Sequence, residues 1–458
     1  MKRQAWGKAD KPSGLTHHFV HHSADVAAVF LTISQQALWR KRLEAAAGRE
    51  LQAEEIECLG ALAFLHDIGK LAPGFQARAW PDANGLRPIG HLDAGWLWMT
   101  MPRPDALAGA IRHLGKCQGM REWFAVLMAH HGRPVPAPEN ASPSAAFPVL
   151  SFYDWRDEED VLGRCLLDWF PAITRATVPA PNPRLAHFFC GLLTLADWVA
   201  SDRRAFDFEP EFRPDYWQTS LARARDRVAE IGLPLKGPAG WTLISDLPAP
   251  RPAQKAVGGL APDERLILLE AETGAGKTEA ALWRFASLLE AGQVDALYFA
   301  VPTRAAARQL HRRVNQALQR MFGAPPEAVL AIPGQAVAGE AKAQMLAGFE
   351  VLWDDGPAPQ RWAAEHSARY LAARVAVGTV DQVALGGLQV KFAHLRGSSL
   401  SRALLVVDEV HASDPYMTET QRAMVQAHLD LGGHALLMSA TLGAVARRRW
   451  RGEPPGDL

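Results

Sequence analysis

The chain has 458 residues, enough for two or three domains that each bury a substantial core. Apolar residues make up 48% and charged residues 21%, which fits a folded globular protein and excludes a disordered one. The 49 basic and 49 acidic side chains cancel, so no global positive field marks a nucleic-acid partner, although a local groove can be basic on a neutral molecule. Four widely spaced cysteines, Cys58, Cys117, Cys165 and Cys190, form no CxxC pair. They point to buried thiols in a reducing cytoplasm rather than to disulfides or a zinc–thiolate site. No apolar run is long enough to span a bilayer, and the basic start lacks the hydrophobic stretch of a signal peptide. A cytoplasmic location with no membrane partner is expected.

In chain order, the first half, roughly to residue 208, reads as mostly helical. Apolar residues recur at helical spacing over 51–65, 106–114, 123–129 and, most clearly, 185–200. The Pro- and Ala-rich piece 133–148 reads as an irregular loop, 209–236 as a further helix with connecting segments, and 237–250 as a linker. The rhythm then changes. Short apolar runs at 266–269, 296–301, 375–377, 403–407 and 435–438 alternate with helical patterns, as buried parallel strands joined by helices do. The expectation is a multidomain chain: an all-α domain over 1–236, a linker over 237–250, and an α/β domain over 251–458 with a mostly parallel sheet.

The first half carries His66-Asp67-Ile68-Gly69-Lys70 at the end of the predicted helix 51–65. Adjacent His and Asp at a helix end can face one cavity, where the carboxylate bridges two cations and the imidazole caps one. Further candidates are His22, His91, His130, His131 and Asp197. Spacing alone does not choose His22 over His17, His18 or His21. In the second half, Glu270-Ala271-Glu272-Thr273-Gly274-Ala275-Gly276-Lys277-Thr278 follows a predicted strand and opens a helix. Its glycines let backbone N–H groups wrap phosphates, Lys277 reaches the β and γ oxygens, and Thr278 ligates magnesium. Ala271 stands where the strict P-loop has glycine, so the strand–loop–helix setting carries the reading. Asp408-Glu409-Val410-His411 ends the run 403–407, where the aspartate can hold the magnesium water shell and Glu409 can activate water.

The histidine–aspartate arrangement resembles the HD superfamily of metal-dependent phosphohydrolases. More narrowly, it resembles the CRISPR-associated helicase–nuclease of prokaryotic type I interference systems. His22 precedes an Asp-Val-Ala helix, His130-His131 precedes a glycine, and Asp197 sits in a Leu-Ala-Asp-Trp-Val-Ala-Ser-Asp run, with Asp202 the less favoured alternative. The resemblance implies two divalent transition metals (Fe, Mn, Co or Ni): His22, His66, Asp67 and Asp197 around one, and Asp67, His91, His130 and His131 around the other. It casts His66 and Asp67 as catalytic and Lys70 as a phosphate contact, the alternative for Lys70 being a solvated helix-end lysine.

The second half resembles the first RecA-like lobe of superfamily 2 helicases, with ATP and magnesium bound at Gln254, Thr273, Gly274, Gly276, Lys277, Thr278, Asp408 and Glu409. Thr303, Arg304, Thr379, Asp381 and Gln382 match nucleic-acid-contacting motifs, and Ser439 and Thr441 match the motif coupling nucleotide state to strand binding. The resemblance implies a nuclease that cuts single-stranded DNA. In the full-length protein that activity would be coupled to ATP-dependent 3′–5′ DNA unwinding during CRISPR interference. The implied partners are an RNA-guided targeting complex and a chain carrying the second helicase lobe, since this chain reads as a fragment or one half of a split protein. The competing expectation is an HD-type nucleotide phosphohydrolase with a regulatory ATP-binding domain.

Overall fold

The computed structural model describes residues 2–10, 13–80, 85–101, 118–139, 141–233, 241–245, 248–345, 351–353, 359–412 and 415–453. The chain forms two compact units, one from Met1–Gln36 with Ala47–Val228, the other from Ala37–Ala46 with Ala229–Leu458.

The first unit opens with an antiparallel pair, β1 (Trp6–Ala9) and β2 (Thr16–His18), and continues into α1 (Phe19–Ser34). Nearly every side chain of α1 is buried, as in a core helix with no solvent face. After α2 (Ala37–Ala47), helix α3 (Ala53–Phe64) begins at a reciprocal Gln52/Glu55 capping box and ends at Leu65, so His66 and Asp67 fall in the turn beyond it. Helices α4 (His91–Thr100), α5 (Met120–Leu127), α6 (Trp155–Trp169), α7 (Pro183–Ala200) and α8 (Tyr216–Glu230) follow. Asn182 caps α7 by accepting a hydrogen bond from Leu185 N–H at 2.9 Å, with Pro183 in the first turn. α1 packs against both α3 and α7 at the centre of the unit. The helix expected at 106–114 lies outside the described residues. A single helical turn, Pro143–Ala146, interrupts the expected loop at 133–148.

The second unit is an α/β layer. Its strands are β3 (Leu266–Glu270), β4 (Ala296–Val301), β5 (Val329–Ala331), β6 (Ala336–Ala338), β7 (Ala341–Met345), β8 (Val351–Trp353), β9 (Val375–Thr379), β10 (Ala403–Val407) and β11 (His434–Ser439). They form one sheet in the order β3-β11-β10-β4-β9-β5-β6-β7-β8, parallel from β3 to β5 and antiparallel beyond. Five of the six parallel strands, β3, β4, β9, β10 and β11, are the apolar runs read from sequence, because strands covered on both faces favour hydrophobic residues. The antiparallel edge was not anticipated: β5–β8 are three to five residues each and too short to show a period. Helices α9 (Trp241–Ile244) and α10 (Pro252–Gly258) precede the sheet, and Ile244, from the segment expected to be linker, is buried in the hydrophobic core of this unit.

Helix α2 was also unanticipated here. Its sequence position is between α1 and α3, yet residues 37–46 pack with the α/β unit. Buried Arg42 donates from Nε to Ser401 O and from Nη2 to Gln293 O, both at 2.8 Å, and the Arg402 guanidinium lies over the Trp39 ring at 5.7 Å.

Candidate metal centre and nucleotide site

Five segments of the first unit converge on Asp67. His22 comes from the first turn of α1, His66 and Asp67 from the turn after α3, and His91 from the N-terminus of α4. His130 and His131 come from the turn after α5, and Asp197 from the last turn of α7. One carboxylate oxygen, Asp67 Oδ2, lies 3.1 Å from His66 Nε2 and 3.4 Å from His22 Nε2. The other, Oδ1, lies 3.4 Å from His91 Nε2 and 3.6 Å from His130 Nε2. Asp197 Oδ1 is 3.5 Å from His22 Nε2, and His131 Nε2 is 2.9 Å from His91 Nε2. Two ligand sets result: Asp67 with His91, His130 and His131, and His22 with His66 and Asp197.

The protonation states suit cation binding. His66 and His130 donate from Nδ1 to their own helix ends, Ala63 O at 2.9 Å and Leu127 O at 2.6 Å, which leaves the Nε2 lone pairs facing the centre. Burial pushes His22 down to about 3, His91 to about 2 and His131 to about 4, so these imidazoles are neutral donors at physiological pH. Burial alone would raise Asp67 and Asp197. Lys70 and His66 beside the first, and Lys8 and His22 beside the second, outweigh it and hold both carboxyls well below the usual range. His22 Nε2, His66 Nε2, His130 Nε2 and Asp67 Oδ1 are buried without a hydrogen-bond partner. Such lone pairs, unmatched and convergent, are costly unless something electropositive meets them, so the donor set fits divalent cations. Imidazole-rich sites favour transition metals over magnesium.

Glycine makes the convergence sterically feasible at two points. A Cβ on Gly69 would sit 1.8 Å from His91 O and 2.3 Å from Gly95 N, so only glycine lets the His66-Asp67 turn press on α4. A Cβ on Gly7 would meet His22 Cβ at 2.8 Å.

The structure separates the histidines that spacing alone could not. His17 Nε2 pairs with Asp25 at 3.0 Å, His18 Nε2 with Glu158 at 3.4 Å, and His21 stacks on Tyr216 at 3.8 Å between centroids. Asp25 also accepts from Ser220 at 2.6 Å and Tyr216 at 3.2 Å, so this network ties α8 to α1. Asp202 is paired with Arg204 and Arg227, each at 2.6 Å, away from the cluster. Lys70 is buried rather than solvated, donating to Asp67 Oδ2 at 2.5 Å and to Gly7 O at 2.7 Å. Sequence reading missed Lys8, whose ammonium on β1 lies 3.4 Å from Asp197 Oδ1; nothing in the short Trp6-Gly7-Lys8-Ala9 stretch marks it.

In the second unit the parallel strands bring the motif loops to one edge of the sheet, beyond their C-terminal ends. Gly274 (φ 84°) and Gly276 (φ 86°) take the left-handed conformation that the phosphate-binding turn needs, and Gly276 caps α11 (Lys277–Glu290). Lys277 Nζ donates to Ala271 O at 3.1 Å and faces Glu409 at 3.6 Å. Burial and the neighbouring Glu409 raise Asp408 despite Lys277. Glu409 itself has φ 53°, a strained setting for a non-glycine residue that costs about 1–3 kcal/mol. Gln254 is buried under the loop, accepting from Arg251 N–H at 2.8 Å and donating to Gly276 O at 3.1 Å. It also lines a cleft of about 410 Å³ with Arg251, Gly274, Gly276, Glu279 and Arg320.

Thr273 is exposed in the loop and Thr278 lies in the first turn of α11. Thr303 caps α12 (Arg304–Met321) through Oγ1, which accepts from Ala306 N–H at 3.2 Å, and Arg304 is exposed. Thr379, Asp381 and Gln382 sit at the turn from β9 into α13 (Val380–Ala384), with Gln382 Oε1 buried and unpartnered. Ser439 Oγ is 2.9 Å from His411 Nδ1 and donates to Thr441 O at 2.9 Å, joining the loops after β10 and β11.

Comparison with known proteins resolves the family. Residues 6–206 match the family model described as Cas3, HD domain, and residues 251–448 match the DEAD/DEAH box helicase model. The chain belongs to the Cas3-type family of HD–helicase fusions. It is 32% identical over 492 residues to the CRISPR-associated endonuclease/helicase Cas3 of Thermus thermophilus, covering 98% of this chain and 51% of that protein. With the CRISPR-associated endonuclease/helicase Cas3 of Escherichia coli the identity is 27%, covering 95% of this chain and 54% of that one. The crystal structure of T. fusca Cas3 with AMPPNP superposes with a TM-score of 0.73 at 26% identity, covering 99% of this chain and 52% of that one. The chain thus spans about half the length of the curated relatives it matches. Within the Cas3-type family frame, its all-α unit is the HD-like domain and its largely parallel α/β unit is the RecA-like helicase lobe.

Proposed function

We propose that the HD unit cuts single-stranded DNA at a two-cation centre built on Asp67, and that the α/β unit binds ATP as the first lobe of a 3′–5′ DNA-unwinding motor. The observation that carries this reading is a pair of ligand sets that meet at Asp67, whose Oδ2 faces His22 and His66 and whose Oδ1 faces His91 and His130, with four buried ligand atoms left unmatched. His22, His66, Asp67 and Asp197 would hold one cation, and Asp67, His91, His130 and His131 the other. Iron, manganese, cobalt or nickel suits the imidazoles. Bound there, such a pair supplies Lewis acidity that activates water and offsets charge on the scissile phosphate and the leaving oxygen. Lys70 orients Asp67 and adds positive charge at the centre, and Lys8 does the same for Asp197.

On the α/β unit, Lys277, Thr278 and the Gly274–Gly276 turn would receive the ATP phosphates, and Asp408 and Glu409 the magnesium and the hydrolytic water. Thr273 and Gln254 complete the nucleotide site. Thr303, Arg304, Thr379, Asp381 and Gln382 would contact the strand, with Ser439 and Thr441 coupling it to nucleotide state. The names of the bacterial relatives support a role in CRISPR interference, with an RNA-guided targeting complex delivering the DNA and a second helicase lobe completing the motor.

The test compares substrates on one chelated and reloaded preparation. With manganese, nickel or cobalt restored, the chain cleaves single-stranded DNA and leaves nucleoside monophosphates and cyclic nucleotides intact. The opposite preference would make the HD unit a nucleotide phosphohydrolase.

A further inference from the structure

Helix α12 carries five arginines, Arg304, Arg308, Arg312, Arg313 and Arg320, and no acidic residue, in a chain whose charges balance overall. Two of the five serve the fold: Arg313 pairs with Glu279 at 2.8 Å, and Arg320 donates to Ile244 O at 3.0 Å. Arg304, Arg308 and Arg312 are exposed and have no hydrogen-bond or ion-pair partner among the described residues. Spaced by four, they follow one another about 6 Å apart along a single face. Like charges at this spacing disfavour the helix by a few tenths of a kcal/mol per pair, and no ion pair among the described residues offsets it. Elsewhere the unit pairs such arginines: on α16 (Gly443–Trp450, after α14, Ala393–Leu400, and α15, Pro415–Asp430), Arg447 meets Glu270 at 3.6 Å and Arg449 meets Glu419 at 2.5 Å.

The stripe starts at the sheet edge where Thr303 and Arg304 open the helix. We propose that Arg308 and Arg312 extend that edge as a phosphate track, holding the backbone of single-stranded DNA that continues past Arg304 onto the flank of α12. The inference rests on the reading of this unit as a DNA-handling lobe. Charge complementarity selects a polyanion, and exposed guanidiniums with no aromatic ring against them among the described residues contact phosphates rather than read bases. A single strand can bend from the edge onto the helix, whereas a duplex is stiff over that length.

The experiment is the salt dependence of binding of a fluorescent oligothymidine to the whole chain, with EDTA present so that the strand is not cut. Anisotropy titrations run from about 50 to about 300 mM KCl. Each phosphate neutralised on a single strand contributes about 0.7 to the slope of log K against log salt. The double variant R308Q/R312Q is therefore expected to bind with a slope shallower by about 1.4, and R308K/R312K with the parental slope. Both side chains are exposed, so the thermal midpoint stays at the parental value. A parental slope in R308Q/R312Q, with the parent binding tightly, overturns the track and leaves the DNA-handling reading intact. Failure of the parent itself to bind oligothymidine overturns that reading and the track with it.

Discussion

Asp67 presents one oxygen to His22 and His66 and the other to His91 and His130, so the position of a single carboxylate fixes both ligand sets. That position depends in turn on Gly69, whose missing side chain lets the turn rest on the α4 backbone. Gly69→Ala places a methyl against His91 O and Gly95 N, both backbone atoms that yield only if α4 moves. His91 then leaves Asp67. Disturbing the support of a metal site typically lowers affinity about 10–100-fold, and that loss is the expected result by calorimetric titration with manganese or nickel. Parental affinity in a folded Gly69→Ala chain would show that the close approach does not set the site. The cluster residues were legible as residue types in order along the chain. The choice of His22 over His17, His18 and His21 came only from the family resemblance and not from spacing, because it depends on helical phase against α3 and α7. Lys8 was illegible for a related reason: a four-residue strand has no periodicity to announce where it docks.

Among the elements, the parallel strands β3, β4, β9, β10 and β11 were readable because each carries an unbroken apolar run of three to six residues, fully buried on β4, β9, β10 and β11. The destination of α2 was not readable. Its sequence, ALWRKRLEAAA, is an ordinary amphipathic helix, and amphipathicity says that one face is buried without saying against what. The answer lies in Arg42, which satisfies two carbonyls of the α/β unit from a buried position while burial pushes its guanidinium down to about 10. Arg42→Ala leaves Ser401 O and Gln293 O without that donor and opens a void, and a loss of about 3 kcal/mol is expected from urea unfolding followed in the α/β unit. Arg42→Lys does not restore it, since an ammonium lacks the planar fork that reaches both oxygens. A variant with parental stability would mean that α2 is only lightly held by that unit.

At the scale of the whole chain, the two candidate sites draw on separate sets of residues. The ligand sets come entirely from residues 22–197, and the phosphate-binding turn, Asp408 and Glu409 from residues 274–409. No residue is shared, so a change at one site leaves every residue of the other in place. The measurement that tests this most directly is cleavage of single-stranded DNA, with manganese or nickel and without ATP, by the parent, Asp67→Ala and Lys277→Ala side by side. Asp67→Ala removes the carboxylate at which the two proposed ligand sets meet and is expected at background. Lys277→Ala removes the charge aimed at the ATP phosphates and is expected at the parental rate, with ATP binding weakened. Cutting by Asp67→Ala at the parental rate, or loss of cutting in a folded Lys277→Ala chain, would contradict the account.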